Sequence, residues 1–212
     1  MEWTLLARHF STARMERYRT AREGNHSLAA HDYAHNLRLA QAMMPMLNVL
    51  EVATRNGIDH RLKQLYGRGD WWTCWAADPT FKWQNQEIAK ALIKLGKRRE
   101  RAHPDKVIAE LTFGFWVSLF NSNLQPALWK SLRLVFAHCP KHRRQRRTIS
   151  ACLNQARDLR NRIVHHEPLL WLAPDLITQH DTAAGIIEWI DPNLRRWLGQ
   201  YDPMHSILPS SS

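Results

Sequence analysis

Helical periodicity runs through almost the whole chain, and no alternating run of β-branched residues bounded by turns is long enough to demand a sheet. The sequence therefore confines the chain to an all-α fold. The longest periodic segment covers about residues 27–66, where Pro45 removes one backbone donor and predicts a kink or break. Before it, a helix over about residues 3–22 stops at Gly24 and Asn25, residue types suited to a helix C-terminus. After it, Gly67, Gly69 and Pro79 bracket a connector holding Trp71, Trp72 and Trp75, which reads as a satellite core under a loop more readily than as a base-stacking platform. A helix over about residues 83–101 follows. Pro104 suits the first turn of the next, which carries the sequence FGFWVSLF and is apolar on nearly every face, the pattern of a central buried element. Further helices are expected over about residues 124–138, from there to Pro168, and in short pieces over 175–190 and 192–198.

A chain of 212 residues is long enough for one substantial core and short for two, so residues 1–202 read as a single domain and 203–212 as a mobile tail. Its net charge of +11 and pI near 10.1 favour a polyanionic partner, for which nucleic acid is the economical choice. Apolar stretches are broken by polar residues well before the ~20 needed to cross a bilayer, and the first residues lack the apolar core of a secretory signal. A cytoplasmic protein without membrane contact is expected. Cys74, Cys139 and Cys152 are odd in number and widely spaced, which suits a reducing compartment.

The chemistry concentrates in Arg160, Asn161, Arg162, Ile163, Val164, His165, His166 and Glu167, followed by Pro168. Arg160 is always charged and offers a planar fork of donors suited to phosphate oxygens and to the extra charge of a phosphoryl transition state. His165 carries an imidazole, a group fit to give and take protons. Asn161 and His165 are four apart and share a helix face, whereas Arg160 and His165, five apart, do not. Their convergence requires the reach of Arg160, an unwound helix end, or a second copy of the motif across a dimer interface. Pro168 disfavours helical geometry at Glu167, so the last turn is expected to distort and present both histidines. From spacing alone, the same residues also suit a solvated helix end whose positive charges complement the helix dipole. Upstream, Lys141, His142, Arg143, Arg144, Arg146 and Arg147 open the motif helix, either as a solvated face or as a phosphate-tracking stripe that delivers RNA to the motif. His138, Cys139 and His142 lack a fourth ligand at zinc spacing, no Gly-rich phosphate loop or serine elbow is present, and no metal or cofactor is required.

The segment LRNRIVHHEP, residues 159–168, resembles the Rx4H signature of the HEPN superfamily in the form carried by Abi-like (abortive infection) proteins of bacteria. Two further segments are similar to that family in the same order: residues 31–59, ending in an EVxxRN pattern at Glu51, Val52, Arg55 and Asn56, and residues 107–120, VIAELTFGFWVSLF. One departure is visible at Asn36, preceded by Ala34 and His35 where the family pattern allows a tryptophan, in a block away from the motif in sequence. The resemblance implies a HEPN-type bundle with the motif on its last long helix, and a homodimer that joins two motifs in a composite active site. It implies a metal-independent endoribonuclease, a toxin used in phage defence or paired with an antitoxin and released by a phage-derived trigger. His165 is then the catalytic imidazole because four residues separate it from Arg160, with His166 as the alternative. Arg160 and Asn161 are catalytic partners, and Glu51, Arg55 and Asn56 support them. Glu167 reads as an anchor for Arg162 or for a neighbouring helix. The competing reading is a non-catalytic RNA-binding or regulatory module of the same type.

Overall fold

The computed structural model describes residues 3–207, the side chain of His205 excepted. All regular structure among them is helical. Two short helices, α1 (Trp3–Phe10) and α2 (Thr12–Ala21), stand where the sequence reads one. The break falls at Ser11, which takes a left-handed φ of 69° while its hydroxyl accepts from the Arg14 N–H and caps α2. Asn25 then caps α3 (His26–Tyr66), its side chain accepting from the Leu28 N–H.

Helix α3 is 41 residues long and continuous through Pro45, so the expected break does not occur. Ala42, Met43, Met46, Leu47 and Leu50 are buried on either side of the proline, and this packing holds the helix where propensity alone would end it. At 1.5 Å per residue α3 spans about 60 Å. It ends at Gly67, whose φ of 69° supplies the left-handed cap. Trp71, Trp72 and Trp75 follow in a 3-10 turn and are buried. Trp71 Nε1 donates to Asp59 at 2.9 Å and Trp75 Nε1 to the Tyr66 hydroxyl at 2.9 Å, so these rings belong to the core and present no stacking platform.

Next come α4 (Lys82–Lys97), α5 (Pro104–Glu110) and α6 (Phe113–Ser118). The expected single helix from Pro104 is divided because Thr112 caps α6, its hydroxyl accepting from the Phe115 N–H. Phe113, Phe115, Trp116, Val117, Leu119 and Phe120 are all buried, as their unbroken apolar pattern requires. Helix α7 (Gln125–Leu132) gives way to a 3-10 turn over Arg133–Phe136, then α8 (Arg146–Val164), α9 (Leu176–Ile190), α10 (Pro192–Leu198) and α11 (Met204–Ile207) complete the described chain.

Helices α2, α6, α7, α8 and α9 all pack on α3, and one apolar cluster runs from Met46 through the tryptophans to Leu198. At Gly57 the packing is so close that an added Cβ would lie 2.8 Å from Val135 Cγ1. Met204, within the segment read as a mobile tail, is buried beside Leu39, Met43 and Ile163. Its apolar side chain anchors α11 to α3, and residues 208–212 of that expected tail lie outside the described residues. No helix among the described residues is long and apolar enough to cross a membrane.

Candidate active site

Helix α8 buries Ile149, Leu153, Ala156, Leu159 and Ile163 against the core, and this stripe decides where its polar residues go. Arg160 falls at the edge of the stripe, facing α3. There its Nε lies 3.4 Å from Oε2 of Glu51, with both side chains partly exposed. Glu51 therefore reaches across to the motif helix. The neighbouring Arg55 donates from Nε to Asn56 Oδ1 at 3.2 Å. Glu51, Arg55 and Arg160 line one cleft of about 250 Å³, closed by Leu47, Val52 and Val164. Glu51 and Arg55 thus share a cleft with Arg160, more than a hundred positions away in sequence, whereas Asn56 is exposed and is not part of its lining.

The two histidines stand differently. Helix α8 stays regular through Val164, and the His165 N–H donates to the Asn161 carbonyl at 2.9 Å. His166 then takes φ 57°, its N–H bonding Ile163 O at 3.0 Å, and the Glu167 N–H bonds Arg162 O at 2.8 Å. This is a Schellman ending with histidine in the left-handed position that glycine usually fills. The expected distortion of the last turn is therefore confined to residues beyond Val164. Both imidazoles are exposed, and neither lines the cleft that holds Arg160. Asn161 is half-buried and is likewise not part of the cleft lining.

The turn that carries the histidines is held from three sides. Arg14 Nη1 donates to the His166 carbonyl at 3.1 Å, Arg162 pairs with Glu167 at 3.2 Å, and the Leu169 N–H donates to Asn36 Oδ1 at 2.6 Å. Glu167 is thus the anchor for Arg162 that the sequence suggests. Asn36 is 3% exposed and braces the motif turn directly, although its block is remote in sequence. Arg14 carried no local signal at all, since its acceptor is 152 residues away.

The basic run, read as either a solvated face or a phosphate-tracking stripe, is partly tied to the body of the protein. Lys141, His142, Arg143 and Arg144 precede α8, and only Arg146 and Arg147 begin it. Arg143 lies 5.0 Å over the Trp189 ring, Arg144 Nη1 donates to Ala137 O at 3.1 Å, and Arg146 donates to Gln125 Oε1 and Phe120 O, each at 2.8 Å. These three fasten the segment entering α8 to the body of the protein, Arg144 and Arg146 half-buried, while Lys141, His142, Arg143 and Arg147 are exposed. The run also sits at the far end of the helix, about 20 Å from Arg160 by helical rise. Among the described residues no group of three or more His, Cys, Asp or Glu side chains is placed to hold a metal ion. No family model, curated protein or solved structure matches the chain.

Proposed function

We propose that this chain is a metal-independent endoribonuclease of the HEPN type that works as a homodimer. The observation that carries the reading is Arg160, held by Glu51 at an open cleft between α3 and α8, one turn before two exposed imidazoles on a braced turn. Glu51 keeps the guanidinium oriented, and Arg160 stabilises the charge that develops on phosphorus-bound oxygens during cleavage. His165 takes the proton of the ribose 2′-OH as that oxygen attacks phosphorus. The P–O5′ bond breaks, a 2′,3′-cyclic phosphate forms, and a second imidazole protonates the departing 5′ oxygen. DNA lacks the 2′-OH and is not cut.

The second imidazole comes from a second copy of the chain. Arg160 is directed to Glu51 and α8 does not unwind before its end, so both ways of joining Arg160 with His165 inside one chain are unused and the third, a second copy, is left. Met44, Val52 and Val164 leave 44%, 37% and 44% of their surfaces exposed around the cleft, an apolar rim suited to a partner. Net charge of +11 favours RNA as the polyanion. The cellular role proposed with this chemistry is that of a phage-defence toxin restrained by an antitoxin or released by a phage-derived trigger.

The test is digestion of total bacterial RNA in EDTA by wild type, Arg160→Ala and His165→Ala, with analysis of the fragment ends. Cutting by wild type alone, leaving cyclic phosphates, is expected. Binding without cutting by all three replaces the nuclease with an RNA-binding or regulatory module.

A further inference from the structure

One turn before Arg160 on the same helix, Arg157 enters a second cleft, of about 420 Å³, between α4, α6 and α8. Its volume lies in the range of small-ligand sites. Its lining is chemically distinctive. Gln84, Asn121 and Asn123 bring three side-chain amides, Thr112 adds a hydroxyl, Trp83 adds an aromatic ring, and Arg157 is the sole charge among the lining residues. Gln84 is 4% exposed, and its Nε2 donates to Ser118 Oγ at 3.1 Å while Ser118 Oγ donates to Phe115 O at 2.7 Å. That chain fixes the amide and leaves Oε1 as an acceptor for a ligand. The Trp83 ring lies nearly parallel to buried Phe115, at 23° and 6.4 Å between centroids, yet remains 44% exposed.

We infer that this cleft binds one unpaired nucleotide of the RNA strand and sets the base preference of cleavage. Each element has a counterpart in such a ligand. An exposed indole supplies a stacking face for a base. Amides, with a donor and an acceptor each, match the edge of a base that single-stranded RNA leaves unpaired. Arg157 donates from Nε and Nη2 to Asp158 Oδ1 at 3.0 and 2.8 Å, and it meets the adjoining phosphate by turning from that exposed carboxylate, while no carboxylate stands among the lining residues themselves. A cleft of similar size beside Arg143 and Trp189 contains Asp181 and Glu188, which would repel a phosphate. Arg157 and Arg160 are three apart, so their heads lie on neighbouring positions of one helix surface. A strand with its scissile phosphate at Arg160 therefore passes Arg157. The inference rests on the ribonuclease reading for its strand, but the cleft stands on its own residues.

The test uses the full chain carrying His165→Ala, so that RNA is bound and not consumed. Fluorescence anisotropy compares labelled hexamers of A, C and U, with AMP, CMP, GMP and UMP as competitors. One homopolymer is expected to bind at least fivefold tighter than the others. Trp83→Ala lowers affinity about tenfold or more and Trp83→Phe retains most of it, while Asn121→Ala with Asn123→Ala levels the preference. Thermal unfolding of each variant close to that of its parent excludes misfolding. Unchanged binding in Trp83→Ala and in the asparagine double variant overturns the inference. Mononucleotides that bind as tightly as the hexamers, with the same dependence on Trp83, overturn the strand subsite in favour of a free-nucleotide site. Cleavage by the chain with His165 restored separates the two readings. RNA cut with no dependence on Trp83 sinks the subsite alone, and Trp83-dependent binding with no cutting sinks the nuclease alone.

Discussion

The two ends of α8 carry similar residues and do opposite things. At the N-terminal end five cations are crowded into seven positions, and three of them are fastened to Trp189, Ala137, Gln125 and Phe120 of the same chain. At the C-terminal end fewer cations stand beside an open cleft, with the imidazoles facing solvent and Glu51 holding Arg160. A high local count of positive charge is therefore no measure of a binding surface. An arginine whose donors already meet backbone carbonyls is structural, since breaking those bonds would leave carbonyls without partners. The sparser group pairs with carboxylates, and Arg160 among it borders an open cleft, which is why the proposed ligand is placed there.

The sharpest way to break this contrast is to exchange the roles. Arg160→Lys keeps the charge and loses the planar fork. RNA cleavage is expected to fall about 10²–10³-fold with little change in thermal stability. Arg146→Ala at the other end is expected to destabilise by about 1–3 kcal/mol in urea unfolding and to leave cleavage intact at temperatures where the protein stays folded. If Arg146→Ala abolished cleavage without loss of stability, the division between fastening and functional cations would fail.

Asn36→Ala tests whether the motif turn depends on its brace. It leaves the buried Leu169 N–H unsatisfied, so a loss of about 1–2 kcal/mol and a several-fold drop in cleavage are expected together. His166→Gly separates the imidazoles. The left-handed position relaxes with glycine, and stability is expected to rise by about 0.5–1 kcal/mol with cleavage retained. Loss of cleavage in that variant would transfer the catalytic role from His165 to His166.

The smallest effect lies in α2, at the buried Tyr18. Burial pushes the Tyr18 hydroxyl up from the ordinary 10 to about 12. The folded state then keeps its proton to higher pH than the unfolded chain does, so this stability is intact below pH 10 and declines as pH climbs toward 12. Tyr18→Phe is expected to flatten that alkaline decline, measured by urea unfolding at successive pH values.

Periodicity alone led to the all-α class and to the existence of the helices around Pro45, FGFWVSLF and the motif, because apolar residues repeat where helical geometry puts them on one face. Boundaries were less legible. Ser11 and Thr112 each cap a new helix inside an apparently continuous pattern, and capping depends on a single backbone conformation that composition does not reveal. The persistence of α3 through Pro45 was also hidden, because burial on both sides of the proline outweighs one missing backbone bond.

The same division runs through the site. The sequence by itself determined which groups are available: a guanidinium, two imidazoles, an Asn on the motif helix, and a Glu–Arg–Asn set on the long helix. Only the tertiary structure decided their company. It paired Arg160 with Glu51, turned both imidazoles to solvent, placed Asn36 and Arg14 behind the motif turn, and tied Arg144 and Arg146 of the basic run to the body of the protein. Local patterns govern which face of a helix a residue occupies. What lies opposite that face is set by how distant helices pack, and packing is a property of the whole core.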